Sequence, residues 1–351
     1  MQFPIIEQRR IRVGLVGCGR ISSNHFGAIL KYKKDLELVS VCDTDQDALS
    51  KAVNTYKVAG YNDFSTMLQN ERLDLVILCT PSGLHPKHAI LAAKCGVNVV
   101  SEKPMATRYS DGLAMVEACD SAKVRLFVVK QNRRNATLQL LKRAVGEGRF
   151  GQIKMVHLNV FWTRPQEYYD AGGGWRGTWE YDGGAFMNQA SHYVDLVEWL
   201  IGPVECVQAF MSTTRNIEAE DTGVLNIKWR NGALGSMAVT MLTYPKNLEG
   251  SITILGDRGT VRVGGVAVND IQTWEFADQK DYDAEVKAAN YETTSVYGFG
   301  HPLYYRNVID VLRGNAEPET DGREGLKSLE FLTAAYIAAR DRTTVGLPLY
   351  I

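Results

Sequence analysis

At 351 residues, with 39 Lys and Arg against 40 Asp and Glu, the chain carries a formal net charge of −1. It is long enough for two cores, and a charge so near zero offers no reason to expect nucleic acid or an anionic membrane as a partner. No apolar run approaches the roughly 18 residues of a membrane span, and the first ten residues lack the apolar core of a secretory signal. The six cysteines (18, 42, 79, 95, 119 and 206) include no Cys-x-x-Cys pair, and five fall in or beside apolar segments. That usage predicts buried free thiols in a reducing cytoplasm, with neither a disulfide framework nor a metal site.

In chain order, the apolar run Ile11–Val16 predicts a strand that leads directly into Gly17-Cys18-Gly19-Arg20-Ile21-Ser22. This is a Gly-x-Gly-x-x-Gly loop with serine in the third place, between a strand and a helix expected from Ile21 to Lys33. Glycines there let the backbone turn tightly and approach a pyrophosphate at the helix N-terminus. A second strand, Leu36–Cys42, ends on Asp43. A carboxylate in that place accepts from ribose hydroxyls and repels a 2′-phosphate, so NAD is expected over NADP. Further alternation follows, with helices from Asp47 and Asp63 and a continuous apolar strand, Leu73–Cys79, that ends at Thr80-Pro81. Beyond it lie His85 and a helix opened by Pro86. The strand Asn98–Ser101 then ends on Glu102-Lys103-Pro104, which places an ionisable pair just past the carboxyl end of a strand, where chemistry collects in open α/β sheets. A helix to Ser121 and a strand over 125–129 complete a doubly wound parallel sheet.

After Lys130-Gln131-Asn132-Arg133 the character changes. A helix (135–147) and a strand (152–161) lead into a loop, 162–181, with six aromatics in twenty residues. Arg164 and Arg176 lie within this loop and Arg149 precedes it. Aromatic faces stack on bases or sugars, and arginines pair with phosphate or carboxylate. Gly183-Gly184 opens a helix expected from Ala185 to Leu200, on which Asn188 and His192 share a face and Asp195 can orient the imidazole or pair elsewhere. Alternating strands follow around the Asn231-Gly232 turn and the Gly256–Gly259 turn. Residues 277–298 read as a polar loop, and two helices, 304–312 and 325–340, close the chain. Tyr244 and Lys246 lie just past a strand end and can join the arginines.

Together, Gly17-Cys18-Gly19-Arg20, Asp43, Thr80-Pro81, His85, Glu102-Lys103-Pro104 and Gly183-Gly184 with His192 and Asp195 resemble the Gfo/Idh/MocA family. This is the glucose–fructose oxidoreductase and inositol dehydrogenase group, and the likeness covers essentially the whole chain. It implies an α/β protein with an NAD-binding Rossmann domain, 1–131. A second α/β domain, 132–351, would carry a large, mostly antiparallel open sheet and serve substrate binding and assembly. A homo-oligomer is implied, a tetramer before other states. Catalysis falls to Lys103 and His192. Cofactor binding falls to Gly17, Cys18, Gly19, Arg20, Ile21, Asp43, Thr80, Pro81, His85, Glu102, Lys103, Gln131, Trp175 and Arg176. Substrate binding falls to Lys103, Asn132, Arg164, Tyr168, Asn188, His192 and Tyr244.

One departure bears on the substrate. Many members carry Asp-x-Gly-x-His on the catalytic helix, and here the segment is Asn188-Gln189-Ala190-Ser191-His192. The stretches 164–170, 174–179, 187–189 and 304–310 look more like one branch, the UDP-N-acetylglucosaminuronic acid 3-dehydrogenases. Those enzymes begin the route to diacetamido-uronic acids of bacterial surface polysaccharides. The expectation is therefore NAD-dependent oxidation of a nucleotide-sugar uronate at C3. The alternatives are a dehydrogenase of a free sugar or inositol, and a non-catalytic NAD-binding sugar sensor. A sensor has no need of both Lys103 and His192.

Overall fold

The computed structural model describes residues 3–293 and 300–350. The chain divides into two compact units, one built from Met1–Lys130 and His301–Leu329, the other from Gln131–Gly300 and Glu330–Ile351. Where the sequence suggested one boundary after residue 131, the chain returns to the first unit through the helix His301–Leu312.

In the first unit, strands β1 (Ile11–Val16), β2 (Leu36–Cys42), β3 (Ala59–Tyr61), β4 (Leu75–Leu78), β5 (Asn98–Ser101) and β6 (Leu126–Val128) form one sheet. Its order is β3-β2-β1-β4-β5-β6, with every pairing parallel. The winding direction reverses between β1 and β4, so the loops after these strands diverge and leave a crevice beyond their carboxyl ends. Gly17–Ser22, Thr80-Pro81 and Glu102-Lys103 therefore follow three adjacent strands. All four residues of β4 are buried, which explains its unbroken apolar run. The core joins Ile11, Val13, Leu15, Phe26, Ile77 and Val100 to Tyr305, Val308 and Ile309 of the returning helix. Each such side chain contributes roughly 1.5–3 kcal/mol by leaving water.

The second unit holds β7 (Ile153–Phe161), β8 (Val204–Ser212), β9 (Thr222–Trp229), β10 (Leu234–Thr240), β11 (Glu249–Gly256), β12 (Gly259–Gly264), β13 (Asp270–Phe276) and β14 (Val345–Gly346). Their order is β13-β12-β11-β7-β10-β9-β8-β14. Among the described residues of this sheet only β7 and β10 pair in parallel. β9 alternates buried and exposed residues, with Leu225, Ile227 and Trp229 inward. The helix Ser191–Ile201 is tied to that face, since the Trp229 indole N–H donates to the Val197 carbonyl at 3.2 Å.

Two expectations need correction. The segment 277–298, read as an irregular loop, contains a tight turn at Asp281–Glu285 and a short helix at Val286–Ala289; its residues 294–298 lie outside the described ones. The helix expected from Ala185 begins only at Ser191, and Gly184–Ala190 forms turns instead.

Candidate active site

The cofactor half of the site grows from β1. Gly17 sits at φ +93°, and a Cβ there would come within 2.6 Å of the Cys79 carbonyl carbon and 2.8 Å of the Thr80 nitrogen. Only glycine lets this loop lie so close to the end of β4. A Cβ on Gly19, by contrast, would meet open space. That gap, at the entry to the helix Ser22–Lys31, suits a pyrophosphate. The Asp43 carboxylate accepts from the Cys18 amide at 2.6 Å and from the Asp45 amide at 2.9 Å. It is thus fixed against the glycine loop, with lone pairs remaining for ribose hydroxyls. The helix cap beyond it is Asp45, whose side chain accepts from Asp47 and Ala48. These features fit an NAD adenosine.

His85 behaves differently from its expected role. Its ring is 1% exposed, and its nitrogens lie 2.9 and 2.8 Å from the carbonyl oxygens of Pro104 and Thr80. Burial pushes its proton affinity down, outweighing the two carbonyls and Glu102. A neutral ring has one N–H, so it donates to one of these two carbonyls and lies against the other, wedged between the Thr80-Pro81 loop and the Lys103-Pro104 loop.

Glu102 was expected from the motif, but its partners were not. Its Oε1 lies 2.9 Å from His25 Nε2 and 3.6 Å from His301 Nε2, and its Oε2 accepts from the Lys103 amide at 3.0 Å. Burial pushes the Glu102 carboxyl up, but the His25 bond and the neighbouring His301 imidazole outweigh that and hold it well below the usual carboxylate range. Burial also holds His25 neutral. The three ligating atoms lie within 4.8 Å of one another. Tetrahedral zinc ligands at ~2.0–2.1 Å from the ion stand ~3.3 Å apart, so the 2.9 Å pair is closed as a hydrogen bond rather than opened around an ion.

The second unit supplies His192, 5% exposed, in the first turn of the helix Ser191–Ile201. Its Nε2 lies 3.1 Å from the Gln131 amide nitrogen, which donates to it. Asp195 accepts both arms of the Arg133 guanidinium at 2.7 Å, so the salt bridge takes its two oxygens. Gln131 and Asn132 stand on one tight turn, and their side-chain oxygens, Gln131 Oε1 and Asn132 Oδ1, are buried with no hydrogen-bond partner among the described residues. Two such acceptors are costly unless a donor arrives.

Asn188 does not share a helical face with His192, because the helix starts after it. Its amide nitrogen donates to Asp182 Oδ1, while Asp182 Oδ2 accepts from the Gly177 amide at 2.7 Å. The sequence reading missed Asp182, 1% exposed, as well as Glu220. Glu220 Oε1 accepts from the Phe186 amide at 2.9 Å and from the Tyr336 hydroxyl at 3.0 Å, strapping the turn that precedes His192. A Cβ on Gly184 would fall 1.8 Å from Glu220 Oε2, so the close approach of this carboxyl requires glycine. Burial pushes Glu220 up to about 7.

In the 162–181 loop, cations and aromatics alternate. Arg164 lies 5.5 Å from the ring centres of both Trp162 and Tyr168, and Arg176 lies 5.0 Å from Tyr168 and 4.7 Å from Trp175. Arg164 also donates to the Thr163 carbonyl at 2.6 Å. Arg149 is not part of this set. It is buried, paired with Asp278 and Asp283, and packed 4.0 Å from the Phe276 ring centre. Tyr244 is 95% exposed, so little of its ring is covered by the described residues.

A parallel sheet with a glycine loop open for a dinucleotide and an ionisable Glu-Lys pair at its carboxyl edge fit an NAD-dependent oxidoreductase. Residues 11–130 match the oxidoreductase family's NAD-binding Rossmann fold and residues 142–347 its C-terminal alpha/beta domain. The chain belongs to this family, Gfo/Idh/MocA. It is 64% identical to the WlbA dehydrogenase from Bordetella pertussis, solved in complex with NADH and UDP-GlcNAcA, with a TM-score of 0.96 over 98% of this chain and 99% of that one. The WlbA dehydrogenase from Chromobacterium violaceum, solved with the same two ligands, is 63% identical over the whole of both chains, again with a TM-score of 0.96. D-apiose dehydrogenase of Paraburkholderia graminis is 27% identical over 97% of this chain and 90% of that protein.

Proposed function

We propose that this chain oxidises the C3 hydroxyl of UDP-N-acetyl-2-amino-2-deoxyglucuronate (UDP-GlcNAcA) to the 3-keto sugar, using NAD, in the cytoplasmic synthesis of bacterial surface polysaccharide. The observation that carries this reading is the 64% identity, end to end, with a protein whose structure holds NADH and that sugar nucleotide. The site supports it from its own chemistry. A uronate diphosphate brings three kinds of anionic or planar group, and the Arg164–Tyr168–Arg176 alternation offers cations between aromatic faces. The partnerless oxygens of Gln131 and Asn132 suit sugar hydroxyls or an acetamido N–H.

NAD, when bound, supplies the acceptor for the hydride that leaves C3. The chain must take the remaining proton from the hydroxyl. Lys103 and His192 are the two groups assigned to that task. Gln131 holds the imidazole in place by donating to Nε2, a bond that must yield to the substrate hydroxyl when the ring takes its proton. Neutral imidazole has the right affinity for a proton near pH 7. We also propose a homo-oligomer, supported by Phe210 and Val224, which face each other across β8 and β9 and are 72% and 48% exposed.

The test is isotopic. Substrate carrying deuterium at C3 should yield deuterated NADH, and substrate deuterated at C4 should not. Label transfer from C4 alone would overturn the assignment of the reacting carbon.

A further inference from the structure

The Glu102 cluster contains three side chains to which no role above is given: His25, Tyr305 and His301. His25 lies on the helix that follows the glycine loop, and the other two come from the returning helix, 280 residues away for Tyr305. All three belong to the first unit, as do Glu102 and Lys103.

The hydrogen positions are nearly forced. His25 Nδ1 stands 2.6 Å from the Tyr305 hydroxyl and its Nε2 stands 2.9 Å from Glu102 Oε1. A neutral imidazole has one N–H. With Glu102 ionised, that N–H must be on Nε2, donating to the carboxylate, and the Tyr305 O–H must donate to Nδ1. The second carboxylate oxygen then accepts the Lys103 main-chain N–H. The chain of donors runs one way, from Tyr305 through His25 to Glu102, and the anion ends one residue from the catalytic lysine. His301 Nε2, 3.6 Å from the same oxygen and with no hydrogen-bond partner among the described residues, stands beside the anion as a second polar neighbour. Its ring meets that of His25 edge-on at 5.3 Å.

We propose that His25 and Tyr305 are positioning residues: acting through Glu102, they fix the main chain of Lys103 and keep a buried negative charge beside it that strengthens its hold on a proton. The other titratable groups that feel Glu102 are Cys79 at the end of β4, Tyr304 and His85. Burial keeps Cys79 and Tyr304 protonated and neutral, and His85 neutral as well. Lys103 follows Glu102 directly and its main-chain N–H is held by the anion, so its affinity for a proton is the quantity the cluster is proposed to tune. The arrangement also links the helix that follows the glycine loop to the segment carrying the lysine, since His25 stands on that helix and bonds Glu102.

The inference rests on Lys103 being an acid–base group as proposed above, but its test does not need turnover. The proton affinity of Lys103 can be read from the pH midpoint of its acetylation by acetic anhydride, followed by peptide mass spectrometry on the whole chain without cofactor. Glu102→Gln should lower that midpoint by about one pH unit or more, the usual effect of removing one opposite charge nearby. Tyr305→Phe, which keeps the ring and deletes only the donor, should lower it by a smaller amount, because His25 is then free to change tautomer or charge. A side chain that merely fills space would leave the midpoint where it is. An unmoved midpoint in folded Glu102→Gln overturns the proposal. Should that variant not fold, an unmoved midpoint in Tyr305→Phe overturns it equally, while a lowered midpoint with turnover unchanged would count against Lys103 as the base and not against the cluster.

Discussion

The two units treat their buried polar groups in different ways. In the first, Glu102, His25 and Asp43 meet partners within the chain. In the second, Gln131 Oε1 and Asn132 Oδ1 are buried with nothing to accept from among the described residues. The partners of Asp43 and Glu102 are in place before a ligand arrives and serve one cofactor in every turnover. Gln131 and Asn132 carry unused hydrogen-bonding capacity, the condition under which a substrate's hydroxyls gain most by binding. Groups already bonded and groups still open thus mark the constant and the variable partner.

The sharpest way to break this contrast is to remove the reacting groups. Lys103→Ala and His192→Ala should each reduce turnover by roughly 10² or more, as for other acid–base groups, with NAD affinity by calorimetry almost unchanged. A variant that keeps near-normal turnover would remove that residue from the chemistry. A smaller effect is expected at the edge of the substrate half. Arg164→Ala should raise KM for the sugar nucleotide several-fold more than it lowers kcat, the mark of lost uniform binding. In the cofactor half, Asp43 should favour NAD over NADP by at least about tenfold, the worth of one charged hydrogen bond, about 1.4 kcal/mol. Equal affinities by calorimetry would contradict the role given to Asp43.

An effect of another kind, away from turnover, concerns stability. Glu220 is pushed up to about 7 when folded and returns to the ordinary carboxyl value when unfolded. The native state therefore binds this proton more tightly. Stability from this group is full below the unfolded value, near pH 4.5, and falls as pH rises to about 7. The loss is on the order of 3 kcal/mol if no other group compensates. Glu220→Gln retains an acceptor for Phe186 and Tyr336, and should flatten the melting temperature between those two pH values. A slope equal to that of the parent chain would mean that Glu220 is not buried as described.

How much of this was legible in the sequence follows the same division. β2 and β5 fall on the residues their apolar runs marked, and Gly17, Asp43 and Lys103 sit where strand ends put them, because a parallel sheet buried on both faces writes itself as local hydrophobic runs. The second unit was harder. β8 buries Val204, Val207 and Ala209 without a clean alternation, and β14 is two residues long, so neither carries a local signal. The helix of His192 starts late because Gly183, at φ +75°, and the Glu220 strap impose turns on a segment whose composition is helical. Glu220 is 34 residues from Phe186, and His25 is 280 from Tyr305. Pairings of that separation have no trace in spacing.

The central claim is the substrate, and the most direct test is the initial rate of NAD reduction with three compounds. UDP-GlcNAcA should reduce NAD fastest by a wide margin, UDP-N-acetylglucosamine, which lacks the carboxylate, should be much slower, and myo-inositol, which lacks both nucleotide and carboxylate, should be slowest. A faster rate with either of the last two would contradict the assignment and leave an NAD-dependent member of the Gfo/Idh/MocA family with a different sugar.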